Sequence, residues 1–160
     1  PDFTYGLNVY LQYRDFDFSM FWQGAQGQDV ISDMKKETDL WSGLNIGFLN
    51  KGNRLLDAWT PTNTSSSIPA LSRSDANNEK RVSTYFVEDG SYLKLRNLQL
   101  GYTLPQKLTQ RIAMQKLRFY LSAQNLLTIK SKNFTGVDPE NPNFGYPIAT
   151  NVTFGLNVTF

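Results

Sequence analysis

The sequence of 160 residues has no cysteine and no histidine. The first absence excludes a disulfide framework and a thiolate metal site. The second removes the commonest general base and the commonest metal ligand. No apolar run reaches about eighteen residues, so no transmembrane helix is expected. The stretch PDFTYG, residues 1–6, carries no signal-peptide pattern. No block of one charge occurs either. Sixteen Lys and Arg stand against fourteen Asp and Glu, so no nucleic-acid partner is expected. These absences leave a soluble globular protein or a membrane β-barrel, whose alternating strands never look hydrophobic on average.

Aromatics, by contrast, are plentiful: eleven Phe, eight Tyr and three Trp. Many sit at the ends of alternating runs, where the aromatic girdles of a barrel would fall. A β-sandwich that buries the same rings is the alternative, and composition alone favours it.

Alternation is the dominant local signal. The final stretch NVTFGLNVTF places Val152, Phe154, Leu156, Val158 and Phe160 on one side of a strand and Asn151, Thr153, Gly155, Asn157 and Thr159 on the other. The opening TYGLNV, residues 4–9, nearly repeats TFGLNV, residues 153–158. Strands are predicted near 3–13, 16–23, 92–104, 117–127 and 151–160. Arg14-Asp15 joins the first two as a tight hairpin. In the second, Phe16, Phe18, Met20 and Trp22 continue the apolar side, and Phe21 points the other way. In the fourth, Leu117, Phe119, Leu121, Ala123 and Leu127 face outward and Arg118, Tyr120, Ser122 and Gln124 inward. An Arg on one face of a central strand is costly in a dry sandwich core but ordinary in a wet lumen.

The third strand slips phase. Leu93 and Leu95 share one parity; Leu98, Leu100, Tyr102 and Leu104 share the other. Either a β-bulge near Asn97 reconciles them, or the upper strand rises above the bilayer with Tyr92, Lys94 and Arg96 on a polar outward face. The second reading is preferred.

From Gly24 to Ser91 the alternation dissolves. A short helix over Asp33–Leu40, capped by Ser32, precedes a Ser/Thr/Asn/Pro loop. A second short helical turn follows Pro105. Residues 24–91 and 128–147 are expected to be extracellular loops, because barrels pair long outer loops with short periplasmic turns. In a compact soluble domain so long a loop would count against the strand assignment.

These residues carry a family resemblance. FVEDGSYLKLRN (residues 86–97) and LGYTLP (100–105) are similar to the C-terminal region of the SusC/RagA family of TonB-dependent outer-membrane transporters. So are LRFYLSAQNL (117–126), VDPE (137–140) and TFGLNVTF (153–160), together with residues 1–23 and AWTP (58–61). The resemblance implies an all-β fold: an antiparallel transmembrane β-barrel segment, about five C-terminal strands of a 22-stranded barrel. It also implies import of glycans or peptides with a SusD-like surface lipoprotein over the mouth, energised by TonB. The plug and TonB box of such transporters have no counterpart in these residues. An open sheet edge is unsatisfied in hydrocarbon, so the remainder of the barrel and plug are expected partners, together with outer-membrane lipid.

Four aromatic residues of the long loops, Trp41, Trp59, Phe144 and Tyr146, are candidates for contact with a ligand or the lid. Packing of the loops against themselves is the preferred alternative. Phe160, at the end of an alternating strand with Val152, Phe154, Leu156 and Val158, resembles a signal read by the barrel-assembly machinery. No cofactor and no catalytic constellation is expected. Asp138-Pro139-Glu140 reads as turn chemistry rather than a calcium site, as does Glu88-Asp89-Gly90-Ser91. Asp33, Lys36 and Glu37 read as a solvated helix face. The competing functions are another outer-membrane barrel (a siderophore transporter or porin), a secreted carbohydrate-binding β-sandwich, and an outer-membrane hydrolase that would lack a histidine base.

Overall fold

The computed structural model describes residues 1–40, 50–72, 74–75, 78–143 and 145–160. Among them are the strands β1 (Phe3–Tyr13), β2 (Phe16–Gln26), β3 (Asp29–Ile31), β4 (Val87–Asp89), β5 (Tyr92–Thr103), β6 (Lys116–Lys130) and β7 (Asn151–Thr159). The helices are α1 (Asp33–Asp39) and α2 (Gln106–Thr109), with 3-10 turns at Asn53–Asp57, Thr84–Phe86 and Gln110–Ile112. The chain divides into two compact units. One comprises Pro1–Gly27, Ser91–Lys130 and Ile148–Phe160, the other Gln28–Gly90 and Ser131–Pro147.

The first unit is an antiparallel five-stranded sheet in the order β1-β2-β5-β6-β7. Register, not sequence order alone, decides which side chains share a face. One row across the sheet runs Leu11, Phe18, Leu100, Leu121, Phe154; the next runs Tyr13, Phe16, Tyr102, Phe119, Leu156. Phe16 and Tyr102 approach to 4.6 Å between ring centroids, and Phe119 stacks on Phe154 at 6.3 Å. The intervening rows read Tyr10, Ser19, Gln99, Ser122, Thr153 and Gln12, Asp17, Gly101, Tyr120, Gly155. One face is thus apolar and ring-rich, the other polar and threaded with glycine.

The apolar face lies open. On β7, Val152, Phe154 and Leu156 are 65%, 67% and 55% exposed, and Leu11, Phe16, Leu100 and Leu121 are exposed likewise. A β-sandwich would bury this face against a second sheet. This sheet has the reverse polarity, with the apolar side outward.

The phase slip in β5 is a β-bulge, which corrects the preferred sequence reading. Phe21 pairs with Asn97 while Trp22 pairs with Leu95, so Arg96 has no opposite number on β2. Across β6 the register jumps from Asn97–Gln124 to Leu95–Leu127. Asn125, in the gap, takes the left-handed backbone at φ 52°, a conformation Asn tolerates better than most residues. The extra residues restore parity. Leu93, Leu95, Leu98, Leu100 and Tyr102 therefore all stand on the apolar face.

The second unit holds the short helix expected after Ser32 and adds a strand pair that alternation did not reveal. β3 and β4 pair antiparallel through Val30 and Glu88, so Val87–Asp89 is a strand and not a turn. Pairs this short escape periodicity because three residues carry no readable alternation. Ser32 caps α1, its hydroxyl accepting from the Lys35 backbone N–H at 3.3 Å. The helix is not the solvated face expected from its charges. Glu37 and Asp39 are buried, and Lys36 pairs with Asp33 at 3.1 Å while lying 5.6 Å from the Phe86 ring centroid. Among the described residues, Leu40, Ala58, Ile68, Phe86, Phe134 and Pro139 are buried apolar residues of this unit.

Candidate functional site

A connected set of charged and hydroxyl groups organises the second unit. Lys35, on α1, donates from its ammonium to the Tyr85 carbonyl at 2.5 Å. It lies 4.0 Å from the Glu88 carboxylate and 4.2 Å from the Tyr85 ring centroid. Glu88 accepts from the Thr135 backbone N–H at 2.9 Å and from its hydroxyl. That hydroxyl meets the Ser32 hydroxyl at 3.1 Å. The Tyr85 hydroxyl donates to Asp39 at 2.8 Å, and Arg54 reaches the same carboxylate oxygen at 3.1 Å.

The electrostatics follow from burial. Desolvation pulls the Lys35 ammonium below its ordinary pKa, and the neighbouring Glu88 works in the opposite direction. Burial, reinforced by the hydrogen bond to Asp39, pushes the Tyr85 phenol well above its ordinary value. The phenol is therefore a fixed donor, not a titrating group, at physiological pH.

Two clefts open on this framework. One, of about 570 Å³, is lined by Lys35, Arg54, Val87, Glu88, Asp89, Lys132, Asn133 and Thr135. The other, of about 310 Å³, is lined by residues that include Leu40, Pro69, Arg81, Tyr85 and Phe86. The first is polar and bears both signs of charge; the second has an aromatic floor. Among the described residues no group of three His, Cys, Asp or Glu side chains could hold a metal ion. Asp138 instead closes a turn, its carboxylate accepting from the Glu140 N–H at 2.9 Å and its carbonyl from the Asn141 N–H at 3.0 Å.

In the sheet unit the polar face carries a strong ion pair. Arg118 Nε donates to Asp17 Oδ1 at 2.9 Å and Nη2 to Oδ2 at 2.5 Å. The Arg anticipated as costly in a dry core thus has a bidentate partner on the polar face.

Of the loop aromatics singled out from the sequence, Trp41 and Phe144 lie outside the described residues. Trp59 and Tyr146 are exposed, Tyr146 almost completely, and neither is among the residues lining the two clefts. Val152, Phe154 and Leu156 lie on the open apolar face with Val158 half-buried beside them, and Phe160 follows the end of β7, exposed. Sequence reasoning missed Lys35, Arg54, Glu88, Lys132 and Thr135. The available signal was the Ser32 cap, which fixes the turn of α1 that carries Lys35.

An antiparallel meander with an aromatic-rich apolar face outward and a polar face inward defines a stretch of β-barrel wall. Comparison with known proteins then gives the family. No family model matches the chain. TonB-dependent receptor P3 of Formosa agariphila is 36% identical over the whole chain, and TonB-dependent receptor SusC of Bacteroides thetaiotaomicron 31% identical over 99% of it. The RagAB peptide importer in its closed-closed state matches 98% of the chain with a TM-score of 0.79 at 28% identity. The chain belongs to the SusC/RagA family of TonB-dependent transporters and spans 16%, 15% and 17% of the length of these three relatives.

Proposed function

We propose that this chain is part of the wall and extracellular loops of an outer-membrane importer that takes up glycans or peptides with a SusD-like lipoprotein and TonB. The single observation behind this reading is the polarity of the five-stranded sheet. An open apolar face suits lipid, and a polar face with the Asp17–Arg118 pair suits a wet interior. Its strands of nine to fifteen residues meet the ~9–11 needed to cross a bilayer when tilted. The open outer edges of β1 and β7 would pair with the remaining strands of the same barrel. The sheet unit would then cross the membrane, and the loop unit would lie outside the cell. No chemistry is assigned to it; the segment shapes and selects.

The test is uptake by cells carrying or lacking the gene for the full-length protein. Labelled oligosaccharides and oligopeptides are supplied with TonB energised or de-energised. Loss of uptake of one class on deletion, and on de-energising, is expected. Unchanged uptake of both classes would overturn the reading.

A further inference from the structure

We propose that the apolar groove of about 170 Å³ on the five-stranded sheet, with Arg14 at its lip, seats an anionic glycerophospholipid. This rests on the import reading, because it needs the apolar face to meet a membrane. It adds one particular lipid as a partner of the wall.

The groove follows from register. Phe16, Tyr102 and Phe119 stand in one apolar row, and Leu100, Leu121 and Phe154 in the next. Between the rows run Gly101 and Tyr120, whose positions belong to the polar face, so bare backbone forms the floor. All six apolar side chains line the groove. Phe16 and Tyr102 wall it near β2, and Phe119 and Phe154 near β7. An acyl chain laid in it gains packing contacts but little else, since the surrounding lipid is equally apolar. Selection must come from the headgroup.

Arg14 supplies it. This hairpin residue takes the left-handed backbone at φ 52°, and its guanidinium carbon lies 5.2 Å from the Tyr13 ring centroid. Tyr13 shares the apolar-face row with Phe16, so the cation is held on the apolar side of the sheet, beside the groove. Arg14 is exposed and makes no ion pair with another described residue. Its planar fork suits the paired oxygens of a phosphodiester.

The neighbouring charge decides which phospholipid. Asp15, in the same turn, is half-buried, whereas Lys107 and Arg111 in the other connection at this end are exposed. Exposed charge at this end is therefore mostly positive, which favours a net anionic headgroup over a zwitterionic one. A free phosphate would use Arg14 and leave the groove empty. Only a lipid uses both.

The experiment uses the full-length transporter reconstituted in phosphatidylcholine vesicles. Traces of phosphatidylglycerol or phosphatidylcholine, each carrying the same photoactivatable acyl chain, are added, and the adducts are mapped by mass spectrometry. The phosphatidylglycerol probe is expected to label residues 98–104, 117–122 and 152–156 about five-fold more, as one basic residue near the interface allows. Residues 3–9, on β1 outside the groove, should show no preference. Arg14→Asn, which suits the left-handed turn, should remove the preference, and Arg14→Lys should keep most of it. Leu121→Trp, which fills the groove, should lower labelling there by both probes. Equal labelling by the two probes, a preference that survives Arg14→Asn or extends equally to residues 3–9, or labelling unmoved by Leu121→Trp would overturn the assignment. Each of these would still leave the wall in the membrane. Absence of any adduct on the sheet of the assembled protein would instead defeat the membrane-facing wall of the import reading.

Discussion

Asp17 and Arg118 hold each other over a glycine. The two residues, 101 apart in sequence, form a bidentate ion pair that crosses β5. The strand passes beneath them at Gly101, which is paired with Asp17 on β2 and Tyr120 on β6. A Cβ at Gly101 would stand 2.4 Å from both Arg118 Nη2 and Asp17 Oδ1. The missing side chain is therefore what lets three strands share one ion pair. A longer residue at 101 would force the partners apart or bend the sheet.

Breaking this pair should destabilise the barrel wall by about 1.5–3 kcal/mol, the range for hydrogen bonds to charged groups. Arg118→Lys should recover part of the loss, since an ammonium keeps the charge but not the planar fork. Gly101→Val should cost as much as Arg118→Gln, and combining the two should add little, because both remove the same contact. Thermal unfolding of the full-length protein in detergent measures all three. Full additivity of Gly101→Val and Arg118→Gln would show that the glycine and the ion pair are unrelated.

The two faces of β7 should respond oppositely to charge. Leu156 stands exposed on the apolar side, and its neighbour Asn157 points to the polar side beside Arg118. Leu156→Arg should cost ~2–4 kcal/mol if the residue sits near the bilayer midplane. Thr153→Arg, also on the polar face, should cost far less. Folding into lipid vesicles, followed by denaturant titration, compares them. Equal penalties would remove the distinction between the faces.

Alkali should loosen the second unit through Tyr85. Burial and the bond to Asp39 raise its folded pKa above the ordinary phenol value of 10.0. The unfolded chain gives up this proton first. The stabilisation is thus complete below about pH 10 and drains away as pH climbs toward the folded value. Lys35 acts with the other sign. Its folded pKa lies below the ordinary 10.5, so deprotonation near that pH relieves a cost of burial. Tyr85→Phe should weaken the unit by about 1.5–3 kcal/mol at neutral pH through loss of the bond to a charged acceptor. It should also flatten the loss of protection above pH 10 seen by hydrogen exchange in residues 28–40 and 84–90. An unchanged alkaline profile would assign the transition to another group.

The sheet was legible because alternation and register are the same physics. Once Val152, Phe154 and Leu156 fall on one side of β7, pairing carries that side through Leu121 and Leu100 to Phe18 and Leu11. The bulge in β5 was visible as a parity conflict but not as a choice, because sequence cannot say whether Arg96 and Asn125 are extra residues or the strand simply leaves the bilayer. The second unit was hidden for a different reason. Its cleft joins residues from α1, the Asn53–Asp57 turn, β4 and the segment after β6. Only loop closure over long separations brings them together, and no local period records that. Charges on α1 read as solvated because surface charge is the usual state. Burial of the Asp39 carboxylate needed Arg54 and Tyr85, each from another segment.

Sidedness gives the remaining test. The register places Tyr13, Phe16, Thr103 and Lys116 toward one end of the sheet and Gln26, Tyr92 and Lys130 toward the other. The hairpin at Arg14-Asp15 and the segment around α2 therefore leave one end, and residues 28–90 and 131–147 leave the opposite end. Outer-membrane barrels keep their short turns in the periplasm and their long loops outside. The sequence contains no cysteine, so a thiol introduced here is the only one this segment offers. Ser65 and Lys107 are both exposed, one from each class of connection. On intact cells a membrane-impermeant maleimide should label Ser65→Cys and spare Lys107→Cys until the outer membrane is permeabilised. Phe154→Cys, on the open apolar face, should resist that reagent throughout and react with an apolar maleimide if that face meets lipid. Immediate labelling of Lys107→Cys with Ser65→Cys protected would invert the wall. Immediate labelling of all three positions would place the sheet in water and remove the membrane from the account.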